Sequence, residues 1–167
     1  MMMSTDRPTG TASIPDPESP LSAMDWLIAR FTDDVPGVTH AILVSKDGMA
    51  LLFGNTEKDW ADGLAAAVSG LASLGAGISG PTCQLVVPQQ IIIERGDCFI
   101  FVQNAGSSTH FKNHNGLGKP NRVDTLLCVI ADPNAHLSNV GFEMSRLINQ
   151  FAPYMQIPVR VVPGAEA

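Results

Sequence analysis

The chain has 167 residues, 45% of them apolar, and a formal net charge of −6. That length supports one core of ordinary size, with tails, and leaves no room for two full domains or a long solenoid. The acidic balance argues against general nucleic-acid binding, and no apolar run approaches the roughly 18 residues of a membrane span. No positively charged and apolar stretch of a secretory signal is read in the opening residues, so none is expected. Three cysteines, Cys83, Cys98 and Cys128, lack metal-ligand spacing and read as buried thiols in a reducing, cytoplasmic compartment.

Residues 1–20 read as a disordered tail. Pro8, Pro15, Pro17 and Pro20 interrupt any helix, and Ile14 is the only large aliphatic residue after the opening methionines. One domain is expected over residues 21–155, with 156–167 as a second tail. Ser22 can cap a first helix, with Asp25 at its third position. Met24, Leu27, Ile28 and Phe31 then lie on one helical face. Pro36-Gly37 stops that helix. Residues 39–46 and 49–53 read as strands. Lys46-Asp47-Gly48 between them is a hairpin turn, because Gly accepts positive φ.

A second helix is expected from Asn55 or Thr56, with Thr56 and Asp59 as a capping box. Trp60, Leu64, Val68, Leu71 and Leu74 can form its sheet-facing stripe. Almost everything else on it is small: Ala61, Gly63, Ala65, Ala66, Ala67, Ser69, Gly70, Ala72 and Ser73. No charge occurs between Asp62 and Glu94. Such a helix is buried on more than one side, either as a central helix within a monomer or in a close contact with another chain; in so short a chain few other elements can cover it, which favours the second.

Residues 75–81 read as a loop and 83–87 as a short extended piece. Residues 89–94 and 98–103 are strands joined at Arg95-Gly96-Asp97. A long polar loop follows over 104–122. It carries Lys112, Lys119 and Arg122, three of the chain's ten basic residues, with no acidic residue from Asp97 to Asp124. Long loops are functional or mobile; this one is either a tolerated insertion with no role or, through these cations, a candidate second contact for an acidic partner or an anionic membrane surface. Residues 123–131 form the last strand. Asp132-Pro133 is read as the start of a third helix, with Leu137, Val140, Met144, Leu147, Ile148 and Phe151 on its apolar face. The order α-ββ-α-βββ-α predicts an α+β fold. Its five-stranded antiparallel sheet carries the second helix on one face and the first and third on the other.

No catalytic constellation emerges. No G-x-x-x-x-G-K-[ST] motif is present, and His110 and His114 sit among Asn and Gly residues where no helix can align them on a metal. No catalytic residue, metal or cofactor is expected. Arg30 and Arg146 fall on the polar faces of the first and third helices.

Four segments, Leu27–Gly48, Ala65–Leu74, Gln90–Val102 and Leu126–Leu147, together resemble the Roadblock/LC7 family, in particular bacterial members found beside small Ras-like GTPases. The most specific is V-P-G-V-x-x-A-x-x-x-S-x-D-G over residues 35–48, which couples a helix stop, a strand and a hairpin. Gly141-Phe142-Glu143-Met144 adds to it. Residues 77–88 and the 104–122 loop depart from the family pattern. The resemblance implies a roadblock/profilin-like fold and a non-enzymatic homodimer. In it, second helices pack together and sheets join edge to edge through the third strand. The interface would use Ala61, Ala65, Ala67, Ser69, Gly70 and Ala72, with Ile91 and Ile93. A small Ras-like GTPase would dock at Glu57, Asp59, Asp62, Ala66 and Ser73. The resemblance further implies a sensor-kinase-like partner in actinobacterial members, and a cytoplasmic site peripheral to the membrane. Two other readings are a scaffold without effect on GTP hydrolysis and a small-molecule sensor.

Overall fold

A computed structural model describes residues 19–111 and 122–155. Helix α1 spans Pro20–Asp34, β1 Val38–Ser45, β2 Ala50–Leu52 and α2 Lys58–Ala76. Strands β3 (Gln90–Glu94), β4 (Phe99–Ser108) and β5 (Val123–Ala131) follow, and α3 (Leu137–Gln150) ends the order. The five strands form one antiparallel sheet in the order β2-β1-β5-β4-β3. This is the α+β architecture read from the sequence.

Alternating side chains divide the core between the two sheet faces. On one face α1 and α3 bury Met24, Ile28, Phe31, Val140, Met144 and Leu147 against Leu43, Phe101, Leu127 and Val129. On the other, α2 packs Ala61, Ala65 and Val68 on Ile42, Val44, Val102, Leu126, Cys128 and Ile130. Strands β1 and β5 are central and covered on both faces, so they read as nearly continuous apolar runs.

The helix starts differ from expectation. Pro20 begins α1 after Ser19, so Ser22 lies inside the first turn. Asp25 does not cap this helix. Its carboxylate accepts the Gly54 N–H at 3.2 Å and anchors the loop after β2. Helix α2 begins at Lys58 after Glu57, with Thr56 buried outside it and no side-chain cap. Helix α3 begins only at Leu137. Asp132 instead accepts the Asn134 N–H at 2.9 Å and closes a turn, as Asp commonly does.

Strand β4 is also longer than expected, running through Asn104–Ser108. The polar residues there pair with β5 across an irregularity between Asn104 and Gly106, where Gly106 takes φ +88°. Asn104 accepts the Gly106 N–H at 2.9 Å, and the Thr125 hydroxyl donates to the Gly106 carbonyl at 3.0 Å. Ser108 donates to the Tyr154 carbonyl at 3.0 Å. These bonds satisfy polar groups that would otherwise oppose burial. Residues 83–87 form no strand; a single bridge joins Ser79 to Leu85.

Candidate interaction surface

Helix α2 is rotated relative to the sequence expectation. The stripe facing the sheet is Ala61, Ala65 and Val68, with Ala72 packed behind them. Trp60 and Leu74, read as sheet-facing, stand 44% and 71% exposed. Both stripes have helical spacing, so periodicity alone does not separate them. The small side chains let the helix backbone approach the sheet. Trp60 finds a partner instead in the His40 ring, edge-on at 4.6 Å between centroids.

This rotation corrects the expected interface. Ala61 and Ala65 have no exposed surface and belong to the protomer's own core. Ser69 donates to the Lys46 carbonyl at 2.5 Å and ties α2 to the β1–β2 turn. Ala72 is half-buried against the sheet. Ala67 and Gly70 do face outward, as do Ala66 and Ser73. With Gly63 and Leu74 they make a continuous outer stripe, and a Cβ added at Gly63 or Gly70 would meet nothing within 4 Å.

The stripe continues beyond the helix. Ile78, Leu85, Val86 and Val87 are each more than half exposed. Strand β3 lies at the sheet edge, with Ile91 and Ile93 half-buried on the α2 side. A Cβ on Gly75 would lie 2.9 Å from Pro88 and 3.3 Å from Ile91, so the end of α2 sits directly on the edge strand. Exposed apolar side chains clustered in this way, rather than scattered, mark interaction sites. The signal in the sequence was the charge-free run from 63 to 93. The exposure of Leu74, Ile78 and residues 85–87 was not apparent there, because they were read as core or loop.

The start of α2 is acidic but partly compensated. Glu57, Asp59 and Asp62 are exposed, yet Lys58 pairs with Asp62 at 2.6 Å. Three carboxylates against one ammonium leave a local charge of −2. The hydrogen bond and the charge of Asp62 raise the Lys58 pKa. Arg122 is half-buried and donates to the Ser107 hydroxyl at 2.7 Å, so it is fixed at the foot of β4. Lys112 and Lys119 lie outside the described residues.

On the opposite sheet face, Arg30 pairs with Asp34 at 3.0 Å and Arg146 with Glu143 at 3.1 Å, all near the surface. Burial raises the Cys128 thiol to about 12. Cys98 is half-buried and Cys83 exposed, which corrects the expectation that all three are buried. Among the described residues no three His, Cys, Asp or Glu side chains gather as metal ligands, and no helix is long and apolar enough to cross a membrane.

The Roadblock/LC7 domain model matches residues 24–112. A solved Roadblock/LC7 domain from Streptomyces avermitilis is 30% identical, with a TM-score of 0.62, over 77% of this chain and 94% of that one. A second from the same organism is 25% identical, with a TM-score of 0.55, over 76% and 96%. MglB in a tetrameric arrangement shares the fold at 17% identity and a TM-score of 0.61, over 84% and 93%. Comparison with curated proteins gives no match. With its helix order, sheet and matched span, the chain belongs to the Roadblock/LC7 domain family.

Proposed function

We propose that the protein is a non-enzymatic dimeric adaptor that binds a small Ras-like GTPase and adjusts its nucleotide cycle or its recruitment. The observation that carries this reading is the outer stripe of α2, which is exposed, small, uncharged and continuous with an edge strand. Ala67 and Gly70 would meet their counterparts in a second copy. Ile91 and Ile93 belong to the β3 edge that would pair with its own equivalent. The tetrameric arrangement recorded for MglB supports self-association of this fold.

The GTPase would dock across the paired helices at Ala66 and Ser73, steered by Glu57, Asp59 and Asp62. Trp60, exposed beside these acids, suits a central anchor, since aromatic residues dominate binding energy where they enter a pocket. The test is GTP turnover and association kinetics of purified Ras-like GTPases from the same source. Combined Asp59→Lys and Asp62→Lys should slow association about ten-fold at low salt while the dimer persists. Unchanged kinetics would remove this surface from consideration.

A scaffold that also holds a sensor-kinase-like protein is a second reading. It is favoured by Phe142 and Ile92, 62% and 45% exposed on the sheet face opposite α2. In that case the GTPase would bind with no change in turnover.

A further inference from the structure

Trp60, exposed at the start of α2, touches one other ring of its own protomer. The His40 imidazole meets it edge-on, with centroids 4.6 Å apart and the planes at 64°. His40 is half-buried on the α2 side of β1, in line with Ile42 and Val44. Strand β2 pairs only with Leu43 and Val44, so it does not reach this end of β1.

The hydrogen bonds around the imidazole fix its tautomer. The Thr39 hydroxyl donates its one proton to the Ile130 carbonyl at 3.2 Å. Towards His40 Nδ1, 3.0 Å away, that hydroxyl can therefore only accept. The neutral ring carries its proton on Nδ1, and among the described residues no hydrogen bond engages Nε2. A second proton can enter at Nε2 without breaking either bond. The charged residues of the elements packed around the contact are Glu57, Lys58, Asp59 and Asp62 at the α2 start, and Asp132 after β5. Lys58 is engaged with Asp62, and Asp132 with the Asn134 N–H. The carboxylates favour an imidazolium here, and the positive end of the α2 dipole opposes it. The Trp60 ring favours it too, because an aromatic face attracts a cation more than it attracts a neutral ring.

We propose that His40 is a proton-operated latch for Trp60. The imidazolium holds the indole against β1 at acidic pH, and the neutral imidazole frees it near pH 8. Histidine is the side chain whose charge ordinarily changes between about pH 5 and 8. Protonation also lowers the local charge: three carboxylates against one ammonium and one imidazolium leave −1 in place of −2. Both effects weaken the docking of a partner that takes Trp60 as its anchor and meets these acids with basic residues. That consequence rests on the GTPase reading, whereas the latch lies inside one chain and does not.

The experiment follows acrylamide quenching of Trp60 emission in the full chain carrying Trp26→Phe, which leaves one tryptophan. The bimolecular quenching constant, taken with lifetimes, should fall about two- to five-fold from pH 8 to about pH 5.5, the span of an exposed cation–π contact. Neither His40→Gln nor His40→Phe should show this fall; the second keeps a ring that cannot titrate. Melting curves at pH 8 check that both variants fold. Nitrogen NMR of the unsubstituted chain gives a readout that needs no variant: His40 should show the Nδ1–H tautomer at pH 8 and a doubly protonated ring at about pH 5.5. The proposal is overturned if quenching does not change with pH, if the change survives either His40 variant, or if the neutral ring carries its proton on Nε2. Association with purified Ras-like GTPases should weaken by a similar factor over the same range, and only with His40 present. A working latch in a chain that binds no such GTPase at pH 8 would remove the GTPase reading alone.

Discussion

At Gly37 the chain leaves α1 for β1 with φ at +85°, and a Cβ there would sit 2.6 Å from that of Ala135. The Gly37 carbonyl also accepts the Asp132 N–H at 2.7 Å, joining the start of β1 to the turn before α3. Any side chain must therefore strain the backbone and displace that turn. Gly37→Ala should lower stability by at least about 2 kcal/mol, read as a lower urea midpoint at unchanged slope. Pro36-Gly37 announced a stop in the sequence, but the contact with Ala135 comes from residues about 100 positions apart and was not readable. The thiols behave similarly. Cys128 lies in an apolar strand and was recognisable as core, whereas Cys83 was not recognisable as exposed. At pH 8 a thiol reagent should modify Cys83 first and Cys98 slowly. It should reach Cys128 only in denaturant, because burial moves that thiol from 9.0 to about 12. The raised value means the neutral thiol's contribution is complete below about pH 9 and is lost as the pH climbs toward about 12. Cys128→Ala should accordingly flatten that part of the alkaline stability loss. A fully reactive native Cys128 would contradict the burial.

At the scale of elements, α2 carries most of the proposed contacts and was the element hardest to orient. Its large residues, Trp60, Leu64, Leu71 and Leu74, and its small ones, Ala61, Ala65 and Ala72, repeat with the same helical spacing. Hydrophobic size favoured the first set as the buried face. Close approach to the sheet favoured the second, and it prevailed. Exposed glycines inside a helix cost about 1 kcal/mol each relative to alanine, and Gly63 and Gly70 have open space around them in the single chain. Gly63→Ala should therefore stabilise the monomer by about 0.5–1 kcal/mol. Gly70→Arg should instead weaken self-association by several kcal/mol, since a buried unpaired charge is strongly unfavourable. Urea unfolding checks the first effect and light scattering at rising concentration the second. Equal dimerisation of wild type and Gly70→Arg would take Gly70 out of the interface. The extension of β4 illustrates a different limit. Asn104–Ser108 has loop composition, and only the bonds from Thr125 and to Tyr154 make it a strand.

For the whole molecule, element order, sheet polarity and the division of helices between faces followed from periodicity and tight turns. Strand order and the free edge at β3 did not, because long-range pairing leaves no local mark in a sequence. The two sheet faces are finished differently. Most of the α1/α3 side is closed over a large core. The α2 side ends in a stripe of small residues and a run of exposed Ile, Leu and Val. That asymmetry is what the proposed assembly surface requires. The most direct test is the solution mass of the full chain with a GTP-analogue-loaded Ras-like GTPase from the same source, measured by light scattering after size exclusion at micromolar concentration. The account predicts two 17.7 kDa chains travelling together with bound GTPase. A single 17.7 kDa chain, with every such GTPase eluting separately, would contradict it.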